Sequence, residues 1–441
     1  MTRAIARVAA VLALAAAACA SGNREGRVEP ESVETTDRAA EEYVKLVLAL
    51  GTRDPDYVDA YYGPAQWRED VLAAPQGLPE IRARALAVID RVAAVPSAAP
   101  EREARLRTDY LTAQLWALVA RTRMLDGTTM SFDEESKALY DAVAPHHTEE
   151  HFERLRRELE PLLAGDGSLV ERYERFRAEF AIPPDRLDAV FQKAIEACRE
   201  RTARHIDLPD GESFEIEYVR DKPWSGYNWY QGGYRSLIQV NTDLPITIDR
   251  AIDLACHEGY PGHHVYNALL ERHLLRERGW VEFSVYALFS PQSLIAEGTA
   301  NFGIEVAFPG DERIAFERET LFPLAGLDPG AAERYYAVQE RVEALDYAGN
   351  EAARKYLDRR IDRAAAVDYL MRYALMPRKR AEKRVDFFDK YRSYVINYNL
   401  GQDLVRGWVE RNGGTPDDPE RRWEVFEELL SSPRLPSGLV D

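Results

Sequence analysis

The chain has 441 residues, with 75 Asp or Glu against 57 Lys or Arg, for a formal net charge of −18. So acidic a chain is a poor partner for nucleic-acid phosphate, and its length suffices for one large or two moderate domains with a sizeable core. Its three cysteines are too few for a disulfide framework to be the basis of stability.

Arg3 and Arg7, followed by an apolar, alanine-rich run at 8–18, read as an export signal over residues 1–18. The run is too short to cross a bilayer, which takes about 20 residues. Ala16-Ala17-Ala18-Cys19 passes as a lipobox. Cleavage before Cys19 and lipidation on it would anchor the protein to the membrane of a bacterial envelope, facing the aqueous side; ordinary signal-peptidase cleavage nearby is the alternative. Residues 19–38 are mostly polar and acidic and read as a flexible tether.

Residues 39–205 form an expected N-terminal helical region. Tyr43, Val44, Leu46, Val47 and Leu50 make one apolar face, and Tyr110, Leu111, Leu115, Leu118 and Val119 another. Ser131-Phe132-Asp133-Glu134 has the form of a capping box opening a helix through Tyr140. Pro183-Pro184-Asp185 starts a further helix that runs past Cys198. His146, His147 and His151 could be a second metal cluster, but with no acid partner of fixed geometry they read better as a solvated helix start.

Residues 206–310 form the expected catalytic core. Residues 214–219 alternate like a strand, residues 236–241 read as another, and the aromatic stretch 227–234 between them would line a cleft or fill a core. Pro245 is expected to open the next helix, with Ile248, Ile252 and Ala255 on its buried face. That helix leads into Cys256-His257-Glu258-Gly259-Tyr260-Pro261-Gly262-His263-His264, three of the chain's eight histidines within eight positions. Imidazoles are zinc's usual nitrogen ligands, and an adjacent carboxylate can act as general base towards water on the metal.

The spacing is not that of HExxH, in which the second histidine lies one turn up the same face. Here Pro261 holds that place. On an unbroken helix His263 would lie roughly 240° round from His257, and His264 about 10 Å along the axis. Neither could share a zinc with His257 through bonds of about 2.0–2.1 Å. Pro261-Gly262 supplies a break, and looping out two residues would return His263 to the second ligand position, with His264 as the alternative. Cys256 reads as a small buried residue. Further on, Ser290 would cap a helix with Pro291 in its first turn. Residues 311–441 return to helical patterning. They carry a basic run (Arg378, Lys379, Arg380, Lys383, Arg384) that is either a solvated face or a binder of substrate carboxylate. Tyr391, Tyr394 and Tyr398 follow at helical spacing.

The stretch His257–His264 resembles the His-Glu-x-x-Pro-Gly-His signature of the domain-of-unknown-function 885 family, bacterial proteins related to zinc metallopeptidases of the gluzincin type. Glu297-Gly298-Thr299-Ala300-Asn301-Phe302 is similar to that family's Glu-Gly-Trp-Ala-x-Tyr stretch, with Thr299 in place of the tryptophan. Tyr398-Asn399-Leu400-Gly401 resembles its late Tyr-x-x-Gly, without the preceding Pro-Gly-Gln. The resemblance implies a mainly α, two-lobed zincin-like fold with a small β-sheet next to the metal-binding helix. It also implies one Zn²⁺ per chain on His257, His263 and Glu297, Glu258 as general base, Tyr398 as donor to an oxyanion, and a peptide substrate. Asn301, one turn past Glu297, would support the ligands, and Glu305 would be a surface or packing residue. The expected function is an exported zinc metallopeptidase. The competing expectation is an inactive surface lipoprotein whose metal is structural and which works by binding a partner.

Overall fold

The computed structural model describes residues 30–94, 102–222 and 224–440. The export signal and Cys19 lie outside these residues, as does most of the stretch read as a tether. Its last part, residues 30–38, opens helix α1 (Pro30–Gly51). The apolar face of α1 is buried as its spacing requires, with Tyr43, Val44, Leu46, Val47 and Leu50 all inside. Strand β1 (Val58–Tyr61) follows, then α2 (Leu78–Ala93) and α3 (Arg102–Leu125). The stripe on α3 from Tyr110 to Val119 is core.

Helix α4 (Phe132–Tyr140) begins at a complete capping box, Ser131 and Glu134 each satisfying the other's backbone N–H. Thr148 caps α5 (Glu149–Leu159), and the three histidines before and within it assemble no metal-ligating cluster among the described residues. His146 pairs with Asp133 at 3.0 Å, and the rings of His147 and His151 stack 4.7 Å apart. Helix α6 (Leu187–Thr202) carries Cys198.

Three strands follow: β2 (Ser213–Val219), β3 (Gly226–Gly232) and β4 (Arg235–Asn241). They form a sheet in the order β2-β4-β3, with β2 parallel and β3 antiparallel to β4. The aromatic stretch is therefore largely a strand, because Trp229 and Tyr230 pair with Leu237 and Ser236. The sheet packs Ile238 and Val240 on Phe191 of α6 and on Leu254. Helix α7 (Asp249–Leu254) starts later than Pro245. The intervening residues are used in extended backbone pairing, Ile182 N–H donating to Ile246 O at 2.8 Å and Ile248 N–H to Phe180 O at 3.0 Å.

From α7 the chain runs through a π-helical turn, Ala255–Gly259, into α8 (His263–Leu269). Strand β5 (Val285–Ala287) pairs antiparallel with β1. Next comes α9 (Pro291–Ala307), after Ser290; the Ser290 hydroxyl does not cap it but donates to Ala287 O at 2.7 Å. The remaining chain is helical, and α10 (Arg378–Tyr391) and α11 (Ile396–Arg411) close on the site. The fold is thus mainly α, with a small sheet beside the interrupted helix that carries His257 and His263. One continuous apolar core runs from Ala39 to Leu439, so the three sequence regions share it. No helix among the described residues is long and apolar enough to cross a membrane.

Candidate metal centre

The break between α7 and α8 has a specific backbone cause. Tyr260 N–H donates to Ala255 O at 3.2 Å, five residues back, which makes the turn π-helical. Gly262 N–H then reaches Cys256 O at 2.9 Å. A side chain on Gly262 would fall onto the carbonyl oxygens of Cys256 and His257, so only glycine fits there. The Tyr260-Pro261 bond is cis. These two residues leave the helical path, and His263 opens α8 with its ring centroid 4.6 Å from that of His257.

His257, His263 and Glu297 each present a donor atom within 4.8 Å of the others. Glu297 Oε2 lies 3.3 Å from His257 Nε2 and 3.7 Å from His263 Nε2. It is buried and has no hydrogen-bond partner, a costly state for a carboxylate oxygen. Two imidazole Nε2 atoms facing one orphaned carboxylate oxygen form a donor set that fits a zinc ion. Burial alone would raise the Glu297 carboxyl; His257 and His263 outweigh it and hold the group far below the usual carboxylate range.

The surrounding residues fix these donors. Asn301 Oδ1 accepts from His257 Nδ1 at 2.9 Å, and Asn301 Nδ2 donates to Tyr398 O at 3.0 Å, which sets the amide's orientation. His257 therefore turns Nε2 towards Glu297. Tyr394 donates its hydroxyl to Glu297 Oε1 at 2.8 Å, leaving Oε2 free to face the histidines. Glu305 joins Gln402 and Arg406 of α11, a helix-packing role.

His264 points elsewhere. It is 1% exposed, with Ser236 Oγ 2.9 Å from Nδ1 and Glu212 Oε2 3.0 Å from Nε2. A carboxylate only accepts, so Nε2 donates to Glu212 and Nδ1 takes the serine hydroxyl. Glu212 also accepts from Tyr260 at 2.5 Å and from Arg199 at 2.6 Å. Burial works to raise the Glu212 carboxyl, but these donors prevail and bring it down to about 2.

Glu258 is buried beside the histidines, and Asn228 of β3 donates to its carbonyl oxygen at 2.7 Å. A Cβ on Gly226 would lie 2.7 Å from Glu258 Oε1, so the start of β3 rests on this carboxylate. Asp59 of β1 accepts from the Tyr227 hydroxyl. Burial, reinforced by Glu297 and Glu258, pushes its carboxyl up to about 6 against the pull of Tyr227 and His263. Tyr398 is half-buried; burial and then Glu297 raise its hydroxyl well above the ordinary phenol value, so it is a donor.

The sequence reading did not include Asp59 or Gly226, which carry no motif, it held Tyr227 only as one of several aromatics that would line a cleft or fill a core, and it ranked Tyr398 above Tyr394. Tyr394 was visible only as part of a helical tyrosine stripe. Cys256 is buried as expected, but it is disulfide-bonded to Cys198 with Cα atoms 5.7 Å apart, which ties α6 to the residue before His257. Their separation of 58 positions hid the pairing.

No family model and no curated protein matches the chain. Six chains of solved structures do. A candidate lipoprotein from Colwellia psychrerythraea is similar with a TM-score of 0.52 and 15% identity over 85% of this chain and 68% of that one. An M32 carboxypeptidase from Deinococcus radiodurans R1 aligns with a TM-score of 0.47 and 12% identity over 90% of both chains. The first likeness shows a shared fold and nothing about activity.

Proposed function

We propose that this chain is a zinc-dependent hydrolase, a metallopeptidase, with His257, His263 and Glu297 holding the ion. The observation that carries the reading is the buried, unbonded Oε2 of Glu297 facing two oriented imidazoles. A bound zinc ion supplies Lewis acidity, making a water acidic and polarising a carbonyl oxygen. Glu258, next to His257 in the chain, takes the proton of the attacking water and delivers it to the leaving amine. Tyr398 donates its hydroxyl to the negative charge that develops on the carbonyl oxygen. Asn301 and Tyr394 keep the ligands aimed.

A peptide is the substrate that the resemblance to the domain-of-unknown-function 885 family implies. Export with a lipid on Cys19 belongs to the same proposal, and the Cys198–Cys256 disulfide supports an oxidising compartment. The binding-protein alternative needs a closed structural site, usually four protein ligands. Among the described residues the cluster has three, and His264 is committed to Glu212 and Ser236.

Hydrolysis of a quenched peptide library by zinc-loaded wild type and by Glu258→Gln tests the reading. Cleavage by wild type, falling at least a hundredfold in Glu258→Gln at equal zinc content, is the expected result. Equal cleavage by both removes Glu258 as base, and no cleavage of any peptide by zinc-loaded wild type removes the peptidase.

A further inference from the structure

Helix α10 carries the basic run, and two of its cations are paired at the surface. Arg378 pairs with Asp368 at 3.0 Å and Lys383 with Asp243 at 3.5 Å. Arg384 differs. Its guanidinium carbon sits 4.8 Å from the Phe387 ring, 5.7 Å from Phe388 and 5.9 Å from Tyr398. Its Nε is buried with no hydrogen-bond partner, and no carboxylate among the described residues pairs with it. The residue as a whole is only partly buried, and its two terminal nitrogens make no hydrogen bond among the described residues.

A buried Nε–H on a guanidinium held against three aromatic rings is costly to leave unmet unless something accepts it. Burial lowers its pKa from the usual arginine value, and Tyr398 and Asp346 act against that. Arg380, one turn earlier on the same helix, is exposed and has no ion-pair partner among the described residues. This corner therefore has an unmet demand for negative charge. Tyr398 links it to the metal centre, since the tyrosine's own backbone carbonyl is bound by Asn301.

We propose that Arg384 anchors a carboxylate of the substrate beside the metal centre, so that peptides carrying a carboxylate at that distance are the preferred class. A planar fork matches a carboxylate through two parallel hydrogen bonds, and the aromatic walls hold the fork in place. The inference builds on the peptidase reading but concerns binding, so binding tests it separately. The carboxylate is the chain's C-terminus or an acidic side chain, and three ligands distinguish them. These are a neutral tetrapeptide with a free C-terminus, its C-terminal amide, and an amide ending in glutamate.

Calorimetric titration of these into zinc-loaded Glu258→Gln protein, with and without Arg384→Gln, is the experiment. The free acid or the glutamate amide should bind about tenfold to a hundredfold more tightly than the neutral amide. Arg384→Gln should erase that preference and Arg384→Lys should restore part of it, which a merely structural role would not produce. Equal binding of all three peptides, no binding of any at millimolar concentration, or a preference that survives Arg384→Gln in protein of native circular dichroism overturns the proposal. Carboxylate-dependent binding without turnover by wild type would instead leave Arg384 as an anchor and count against the peptidase.

Discussion

Individual side chains in this centre are aimed by neighbours that have no chemistry of their own. Gly226 shows this most directly, since a methyl group there would lie 2.7 Å from Glu258 Oε1 and 2.8 Å from Leu254 Cδ2. Gly226→Ala should leave zinc content unchanged and lower kcat by about tenfold to a hundredfold, the usual effect of misplacing a catalytic group by a fraction of its reach. Steady-state kinetics with metal analysis would check it, and an unchanged kcat would separate β3 from the placement of Glu258. Glu212 acts at one remove, holding His264 and Tyr260 so that His263 alone turns inward. Its pKa falls from 4.5 to about 2 on folding, so its stabilisation is present above pH 4.5 and is lost as pH drops towards 2. Glu212→Gln should cost roughly 1–3 kcal/mol at pH 7 in urea unfolding. The gap to wild type should close as the pH is lowered through that window; a gap that widened in acid would be the wrong sign.

At the scale of elements, the approach of α9 to α11 and to the turn just before it, Arg392–Val395, brings Glu297, Tyr394 and Tyr398 together. Gly298 and Gly401 meet at the crossing: a side chain on Gly298 would fall on the Gly401 carbonyl, and one on Gly401 would lie 2.7 Å from Leu294 O. The glycines after Glu297 and Tyr398 thus allow backbone contact between the two helices. Gly298→Ala should destabilise the protein by roughly 1–3 kcal/mol and weaken zinc binding, because spreading the helices withdraws Tyr394 from Glu297. Gly349→Ala, with nothing within 4 Å of its added methyl, is the control and should be neutral or mildly stabilising. Thermal melts with and without zinc would separate the two, and equal behaviour would deny the crossing its role.

Legibility in the sequence followed the range of the interaction. Ser131 and Glu134 are three residues apart, and their capping box was readable from spacing alone. The β4 alternation was equally local, and Pro261-Gly262 betrayed the break that carries His263 back. Tyr394 on Glu297, Cys198 with Cys256, and Asp59 with Tyr227 join residues 97, 58 and 168 positions apart, and no local pattern encodes them. Gly226 is one of 26 glycines, and its packing on Glu258 exists only once the sheet is folded.

Across the whole molecule, one apolar core from Ala39 to Leu439 holds the interrupted helix and the C-terminal helices in register, and a smaller cluster of Phe191, Ile238, Val240 and Leu254 fastens the sheet to α6 and α7. The disulfide fastens α6 to Cys256, one residue before His257. Everything converges on the choice of His263 over His264, adjacent residues with opposite surroundings. Zinc content by atomic absorption, measured on folded wild type, His263→Ala and His264→Ala after dialysis against trace zinc, tests that choice. One zinc per chain in wild type and in His264→Ala, with none in His263→Ala, is the expected result. Zinc kept by His263→Ala but lost from His264→Ala, or absent from folded wild type, would contradict the metal centre described above.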